Sequence, residues 1–199
     1  MTTPPSPLIL ASASPRRQAL LTQIGIPHEV LPTEVVESPK PLELCEDYVL
    51  RIAKAKASAA RARIADEDRL ILAADTEVVL DGHIFGKPRD AGEALIMLET
   101  LSGREHFVLS QVVLLEGPTL HTALSISQVR FKTLSPEDLQ AYVATGEPFG
   151  KAGAYAIQGL GAVLIERLSG SYSGVMGLPL EETARLLSRV GRNPLGNRP

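Results

Sequence analysis

The first half of the chain alternates short apolar runs with segments in which apolar residues recur at helical spacing. The run Leu8–Ala11 predicts a short buried strand, and Ser14 then supplies the N-cap of a helix that begins at Pro15. Apolar residues at helical spacing predict a long helix over 43–64, and a second apolar run predicts a strand over 69–74. Strands and helices in alternation are typical of an α/β protein.

The second half of the chain is dominated by hairpin patterns. Asp81-Gly82 stands between the apolar triplets 78–80 and 83–85, which is a strong signal for a β-hairpin. Capping residues, glycines and apolar periodicity predict the remaining elements: a helix over 90–103, antiparallel strands over 107–115 and 120–131, a helix over 135–146, a strand over 161–168 and a helix over 180–190. The sequence therefore predicts an α/β fold with a mixed twisted sheet and flanking helices. We expect one domain over 1–192 and a disordered tail over 193–199.

Composition narrows the chemistry that the chain can support. Its 199 residues are 44% hydrophobic and 22% charged, which is typical of a globular domain. The single cysteine, Cys45, excludes an intramolecular disulfide and a cysteine-based zinc site, and the four histidines form no pair at metal-ligand spacing. A bound metal would therefore need oxygen ligands, which favours magnesium or manganese over zinc.

The overall charge favours no macromolecular partner. A net charge of −3 and a pI of about 5.8 argue against a nucleic-acid-binding surface, and 4% aromatic residues without Trp argue against a base-stacking platform. The N-terminal residues lack the pattern of a signal peptide, and no segment approaches the roughly 20 apolar residues of a membrane span. We therefore expect a cytoplasmic protein that binds neither nucleic acid nor membranes.

Basic and hydroxyl side chains gather where the first strand meets the first helix. In Ser12-Ala13-Ser14-Pro15-Arg16-Arg17, two hydroxyls and two guanidinium groups adjoin the free N–H groups of a helix N-terminus, which suits phosphate oxygens. An ordinary serine cap followed by two solvated arginines accounts for the hexapeptide equally well. On the predicted helix 43–64, Lys56 shares the apolar face with Val49 and Ile52, so it needs either an anion or a route to solvent.

Acidic and amide side chains provide the other candidates. Asp75 follows an apolar run, where we expect the strand to leave the sheet, and it can bind a divalent metal, orient water or begin a turn. Lys87 lies in a rigid bend after the hairpin. In the segment 150–159, Lys151 and Gln158 stand among small residues, and the amide of Gln158 can pair with the edge of a nucleobase. A glycine-rich surface loop is the alternative interpretation.

Six motifs follow one another along the chain: LASASPRRQALL, IAKAKA, AADTEVVLDGHIFGKP, LSGREHFV, KAGAYAIQG and GSYSGVMGLPL. This ordered set resembles the Maf proteins, nucleoside triphosphate pyrophosphatases of the inosine-triphosphatase-like fold, from about Leu8 to Val190. The resemblance implies two lobes around a central cleft. Lys151 and Gln158 in the fifth motif resemble the subgroup that hydrolyses dTTP and UTP to the monophosphate and pyrophosphate, with a divalent cation as cofactor.

The resemblance also implies roles for individual residues. Asp75 would be the proton acceptor, and Glu37 matches a polar position of the family's pocket. For attack on a triphosphate, we expect Asp75 together with Glu37 to hold Mg²⁺ or Mn²⁺. Arg16, Thr76 and Gln158 match positions that influence substrate choice, and the polar positions that bind phosphate are matched by Ser12, Arg17, Lys56, Lys87 and Lys151. Whether Asp75 acts as base, as metal ligand or as both stays open. The oligomeric state also stays open, with a homodimer among the alternatives.

Three positions depart from the family's pattern. Gly150 precedes Lys151 where an acid is usual, Gly174 stands where Asn is frequent, and Ser110-Gln111 replaces the common Thr-Gly. We expect Gly150, which removes a charge beside Lys151, to affect local electrostatics more than activity. We expect a house-cleaning enzyme for dTTP, UTP or modified pyrimidine triphosphates. The alternative is a nucleotide-sensing regulator of cell division, which needs no acid beside the metal. A purely structural protein gives Lys56 no reason to face inward.

Overall fold

Seven strands and six α-helices make up the part of the chain that the structure, a computed structural model, describes, residues 6–196. The strands are β1 (Leu8–Leu10), β2 (His28–Val30), β3 (Ile71–Leu80), β4 (His83–Phe85), β5 (Glu105–Glu116), β6 (Thr119–Phe131) and β7 (Ile165–Ser169). The helices are α1 (Pro15–Gln23), α2 (Cys45–Arg61), α3 (Ala91–Leu101), α4 (Pro136–Ala144), α5 (Tyr172–Met176) and α6 (Leu180–Arg189). Short 3₁₀ turns cover Ala152–Ala154 and Leu160–Leu164.

The strands form one mixed sheet in the order β2-β1-β3-β5-β6-β7, with β4 paired to β3. β1 runs parallel to β2 and β3, and the other pairs are antiparallel. Parallel neighbours need a crossover connection, which α1 and α2 provide. Of the antiparallel pairs, β3–β4 and β5–β6 are joined by tight turns, whereas helices separate β3 from β5 and β6 from β7. At the predicted hairpin, Asp81 and Gly82 both have positive φ, 51° and 75°, as a two-residue turn of this kind requires. The predicted mixed sheet with flanking helices is confirmed.

Helices cover both faces of the sheet. Small side chains let α2 lie close to one face, where Ala53 and Ala57 pack against Ile71 and Val113 of the strands. On the opposite face α1 and α6 contribute a leucine cluster made of Leu20, Leu21, Leu186 and Leu187. Because α2 turns its apolar stripe to the sheet, the predicted inward direction of Lys56 is confirmed: this lysine is only 8% exposed.

One edge of β3 is interrupted, and the interruption creates the cleft. β1 pairs with β3 at Ile71 and Leu72, and β4 pairs with the same edge at Val78–Leu80. Across residues 74–77, no strand within the described range occupies that edge, while β5 continues along the other edge without a break. β1 ends here because its chain turns into α1 at Ser14. The N-terminus of α1 therefore faces the open stretch of β3.

Two predictions about strands were wrong. The strand predicted over 69–74 does not end there: β3 continues to Leu80, so Asp75 lies inside the strand and not where it leaves the sheet. The reason is the long antiparallel pairing with β5, supported by the β-branched Thr76, Val78 and Val79. The strand predicted over 161–168 begins only at Ile165.

The preceding residues form a 3₁₀ turn because Glu147 binds their backbone. Its carboxylate accepts hydrogen bonds from the N–H groups of Leu160 and Gly161, at 2.9 and 2.8 Å. Gly161 also lies so close to the backbone of Ala156 that a Cβ atom would clash. These contacts draw the chain into a turn instead of an extended strand.

The ends of the chain add no further element to the sheet. Residues 193–196 form a turn, and residues 1–5 and 197–199 lie outside the described range. The predictions of one domain over 1–192 and of a disordered tail over 193–199 therefore stay predictions. Within residues 6–196, no helix has the length and apolar character that crossing a bilayer requires.

Candidate active site

A cleft of about 360 Å³ opens at the interrupted edge of β3, beside the N-terminus of α1. All ten residues to which the sequence assigns a role line this cleft: Ser12, Arg16, Arg17, Glu37, Lys56, Asp75, Thr76, Lys87, Lys151 and Gln158. They come from β3, α1, α2 and four connecting segments, so only the folded chain brings them together. Five bases and three acids line the walls, which makes the cleft positive in a protein whose net charge is −3.

Lys56 joins two carboxylates at the centre of the cleft. Its Nζ donates to Asp75 Oδ1 at 2.7 Å and lies 2.6 Å from Glu37 Oε1. Asp75 is only 3% exposed, and its second oxygen, Oδ2, is buried without a hydrogen-bond partner anywhere in residues 6–196. Lys56 therefore fixes the direction of the Asp75 carboxylate and leaves one oxygen available inside the cleft.

Glu37 is held by two lysines. Lys87 Nζ donates to its Oε2 at 3.0 Å, while Lys56 lies against Oε1. Burial opposes the ionised form of Glu37, but the hydrogen bonds and charges of Lys56 and Lys87 outweigh it and lower the pKa to about 2. Glu37 is therefore ionised at neutral pH, and both of its oxygens are engaged.

Glu77 is a cleft residue that sequence reasoning missed. It lies two residues after Asp75 on the same face of β3, and it is only 6% exposed. Burial, together with the negative charges of Asp75 and Glu37, raises the pKa of Glu77 to about 8. The alternation of Asp75 and Glu77 with Thr76 was the available signal, since residues two apart in a strand share a face. A strand that ends at residue 74, as the sequence predicts, leaves both acids outside the strand, so this alternation carries no meaning there.

The two arginines of α1 reach across the cleft to the segment that precedes α6. Arg16 Nε donates to the carbonyl of Met176 at 3.2 Å, and Arg17 Nε donates to that of Gly177 at 2.8 Å. Arg17 also donates through Nη1 to Ser12 Oγ, at 3.2 Å. Burial lowers the pKa of both guanidinium groups, which stay charged near neutral pH. Arg17 thus binds protein groups on several sides, in addition to lining the cleft.

Thr76 points to the opposite face of β3 from Asp75. Its hydroxyl lies 2.9 Å from Ser110 Oγ, and it is also within hydrogen-bond distance of Arg17 Nη2 and of the Gly177 carbonyl. Ser110 in turn donates to the carbonyl of Gly174 at 2.6 Å. The serine that replaces the family's usual threonine at 110 therefore connects β5 to α5.

The segment 150–158 forms the remaining wall. Lys151 Nζ donates to the carbonyl of Phe149 at 3.3 Å, and Gln158 is exposed at the rim of the cleft. Between them Tyr155 is buried, and its hydroxyl lies 2.9 Å from Nε2 of the fully buried His106. This contact anchors the segment to β5 and so fixes where Lys151 and Gln158 enter the cleft.

The acids of the cleft provide oxygens for a divalent cation, but within the described part of the chain they do not form a complete set of metal ligands. Among residues 6–196, no group of three His, Cys, Asp or Glu side chains is placed to hold a metal on its own. Asp75 Oδ2 and Glu77 Oε2 are nonetheless buried oxygens to which residues 6–196 offer no hydrogen bond. Carboxylate oxygens suit Mg²⁺, which is usually bound by one or two carboxylates together with substrate phosphates and water. The residues therefore fit a metal that a triphosphate helps to hold.

Comparison with known proteins gives a family match over most of the chain. The family model described as Maf-like protein matches residues 7–190. A dTTP/UTP pyrophosphatase of Methylococcus capsulatus is 58% identical over 184 residues, which cover 92% of this chain and 91% of that protein. Proteins of the same name from Methylobacillus flagellatus and Burkholderia orbicola are 51% and 52% identical, and the alignments cover at least 90% of each chain.

A solved structure shows a weaker likeness. In the structure of the Staphylococcus aureus Ham1 protein, a match with a TM-score of 0.42 and 14% identity covers 62% of this chain and 71% of that one.

Proposed function

The chain belongs to the Maf-like protein family, and from that premise we propose that it is a pyrophosphatase that hydrolyses dTTP and UTP to the monophosphate and pyrophosphate. The observation that carries the proposal is the free oxygen of Asp75. It is buried in a cleft walled by five basic side chains, where a water molecule beside a bound triphosphate can lose its proton.

The chemistry follows from that arrangement. The oxygen of water attacks the α-phosphorus, the bond between that phosphorus and the bridging oxygen breaks, and pyrophosphate leaves with the bonding electrons. The proton of the attacking water passes to Asp75 Oδ2, while Lys56 holds the other oxygen at 2.7 Å and keeps the carboxylate in place. Asp75 is therefore the proton acceptor of the proposed reaction.

The basic side chains neutralise the negative charge of the proposed substrate. A triphosphate carries about four negative charges, which repel an attacking nucleophile until they are neutralised. Arg16, Arg17, Lys56, Lys87 and Lys151 supply that neutralisation together with the N-terminus of α1. Because a helix end contributes only about 0.3–1 kcal/mol, the side chains and the cofactor supply most of it.

A divalent cation, Mg²⁺ or Mn²⁺, would be held by Asp75 with either Glu37 or Glu77. When bound, it supplies further positive charge at the phosphates. The hypothesis drawn from the sequence pairs Asp75 with Glu37, and the unpartnered oxygen of Glu77 is the reason to consider Glu77 in place of Glu37.

Base selection is assigned to Gln158. Its amide offers one acceptor and two donors, and it can pair with the O4 and N3–H edge that uracil and thymine share. The thymine methyl group contributes only about 1–3 kcal/mol, so a single site can accept both dTTP and UTP. Arg16 and Thr76 complete the set of positions that we propose to influence substrate choice.

The cellular location, the partners and the oligomeric state of the protein are also proposals. We propose a cytoplasmic enzyme, and the net charge of −3 supports action on free nucleotides and not on nucleic acid. No structural observation favours the alternative of a nucleotide-sensing regulator, because a sensor has no use for a free acid beside the phosphates. A homodimer stays an open proposal, which light scattering after gel filtration would test.

A panel of triphosphates tests the proposed function. The purified protein is given dTTP, UTP, CTP, the purine triphosphates and modified pyrimidine triphosphates with Mg²⁺ or Mn²⁺, and pyrophosphate and orthophosphate are assayed separately. We expect pyrophosphate from dTTP and UTP. Orthophosphate as sole product would overturn the pyrophosphatase assignment, and turnover of purines alone would overturn the role of Gln158. Tight UTP binding without any product would support the sensor.

A further inference from the structure

We propose that Glu77 is a metal-binding residue of the cleft, which holds the divalent cation together with Asp75, and that Glu37 does not contact the cation. The proposal rests on the proposed function, because it concerns the cofactor of that reaction. It replaces Glu37, one of the two ligands expected from the sequence, with Glu77.

The carboxylate oxygens of the cleft that lack a partner belong to Asp75 and Glu77, while the hydroxyl of Thr33 is the other unpaired oxygen in the cleft lining of residues 6–196. Asp75 Oδ2 and Glu77 Oε2 are both buried, and residues 6–196 offer neither of them a hydrogen bond. The two residues stand at i and i+2 on one face of β3, so their side chains project side by side into the cleft. Buried carboxylate oxygens without donors are rare in native proteins, which points to a ligand between them.

Glu37 has no comparable oxygen to offer. Its Oε1 lies 2.6 Å from Lys56 Nζ and its Oε2 accepts from Lys87 at 3.0 Å. A metal bound by Glu37 would have to displace an ammonium group from one of these oxygens. A metal bound by Asp75 and Glu77 leaves the lysine contacts of both Glu37 and Asp75 in place.

The charges of the cleft give the same assignment. Lys56 contacts Asp75 and Glu37, and Lys87 contacts Glu37, whereas Glu77 has no ion pair among the described residues. An isolated carboxylate is costly to bury unless a cation compensates it. The neighbouring side chains of Cys45 and Tyr48 carry no positive charge, and Lys56 and Lys87 act on Glu77 only from a distance, without an ion pair in the described range. A divalent cation between Asp75 and Glu77 supplies the missing compensation.

A cation at this place is compatible with proton transfer to Asp75. An ionised carboxylate has about four lone-pair positions, two on each oxygen, so Oδ2 can contact a cation and still accept a proton from water. Two carboxylates are also the usual protein contribution to a magnesium site that is completed by phosphates and water.

Manganese binding without nucleotide tests the proposal. Mn²⁺ is titrated into the metal-free wild-type protein and into Glu77→Gln, Glu37→Gln and Glu166→Gln, with the free ion measured by electron paramagnetic resonance. Glu166 is an exposed acid on β7 and serves as the control for a lost charge. We expect Glu77→Gln to weaken Mn²⁺ binding at least about tenfold, and the other two variants to bind within about threefold of wild type.

The opposite pattern would overturn the proposal. If Glu77→Gln binds Mn²⁺ like wild type, or if Glu37→Gln loses more affinity than Glu77→Gln, the cation does not lie where we place it. The proposal is also wrong if the wild-type protein does not bind Mn²⁺ in the millimolar range. Should Glu77→Gln fail to fold, as judged by circular dichroism, Glu77→Asp keeps the charge, shortens the side chain and is expected to weaken binding in the same way.

Thermal melting provides a second measurement. Metal binding to the folded state raises the melting temperature. We expect Mn²⁺ to raise it in wild type and Glu37→Gln and to have little effect in Glu77→Gln. An unchanged response to Mn²⁺ in Glu77→Gln would contradict the proposal.

Neither measurement depends on turnover, so the two proposals can fail separately. If the protein hydrolyses dTTP and UTP but Glu77→Gln binds Mn²⁺ normally, the proposed function stands and the metal assignment of Glu77 is wrong. If the protein binds Mn²⁺ through Glu77 but hydrolyses no triphosphate, the metal assignment stands and the proposed function is wrong.

Discussion

Asp75 uses its two carboxylate oxygens differently. Oδ1 accepts from Lys56 at 2.7 Å, and Oδ2 is buried with no donor in the described part of the chain. A carboxylate that is fixed on one side and free on the other is suited to accept a proton from one direction.

Replacing this free oxygen should stop the reaction. In Asp75→Asn the amide cannot accept the proton, so we expect kcat to fall about 10²–10⁴-fold while a non-hydrolysable UTP analogue still binds. Steady-state kinetics and calorimetry measure the two effects. Asp81→Asn, in the exposed hairpin turn, is the matched control and should behave like wild type. A variant at 75 that keeps most of its kcat would remove Asp75 as the base.

Gln158 should affect the choice of base rather than the chemical step. The variant Gln158→Ala removes the amide that pairs with uracil or thymine. The transition state for UTP and dTTP should therefore lose about 0.5–1.5 kcal/mol of stabilisation per lost hydrogen bond, which lowers kcat/KM for both. The preference for UTP and dTTP over CTP should decrease. The ratio of kcat/KM values measures this. Gln140→Ala on α4 is the control. Unchanged selectivity in Gln158→Ala would place base recognition elsewhere.

At the scale of elements, Arg17 connects α1 to β3 and to the segment after α5. Its donors reach Gly177, Ser12 and Thr76. In Arg17→Lys a compact ammonium replaces the planar fork and cannot serve all three acceptors. We expect a loss of about 1.5–3 kcal/mol in the free energy of unfolding, since at least one hydrogen bond from a charged donor is lost.

Urea denaturation measures the effect of Arg17→Lys. The exposed Arg63, which donates to the carbonyl of Pro32, provides the control Arg63→Lys, and this variant should stay within about 0.5 kcal/mol of wild type. Equal stability of the two variants would mean that Arg17 does not hold these elements together.

Local patterns predicted most elements correctly, because caps and turns depend on neighbouring residues. Ser135 caps α4 through a capping box, and Asp90 caps α3 by accepting from Glu93 N–H. The extent of β3 was not predictable in this way, because it depends on β5, which lies about thirty residues further along the chain. The same long-range pairing decides that Asp75 and Glu77 share a face inside a strand.

The candidate site was predicted in part. The ten residues named from the sequence line one cleft, because family motifs preserve which positions come together. Their contacts were not predictable: Lys56 joins two acids, and Arg17 binds carbonyl groups of a distant segment. A contact between residues far apart in sequence depends on the path of the folded backbone, which local sequence patterns do not predict.

At the scale of the whole molecule, one buried histidine should make stability depend on pH. Burial lowers the pKa of His106 from 6.5 to about 4. The unfolded chain therefore binds this proton first as the pH falls, so the folded state loses stability between pH 6.5 and 4. The full loss is on the order of 3 kcal/mol at pH 4.

The comparison of wild type with His106→Gln measures this contribution. The variant retains a partner for Tyr155 and should show no loss in this pH range from position 106. Glu77, whose pKa is raised to about 8, acts in the opposite direction in both proteins, so only their difference is diagnostic. If the two free energies of unfolding fall in parallel from pH 6.5 to 4, His106 does not titrate as described.

The bonds from Arg16 and Arg17 to Met176 and Gly177 join positions that are 160 residues apart in sequence. A ribosome adds about 5–20 residues per second, so roughly 8–30 s separate the synthesis of the two walls of the cleft. During that interval the arginines of α1 lack the carbonyl groups that orient them. A nascent chain arrested before residue 170 should therefore hydrolyse no nucleotide, and activity in a translation reaction should appear only after a delay set by the length of the chain.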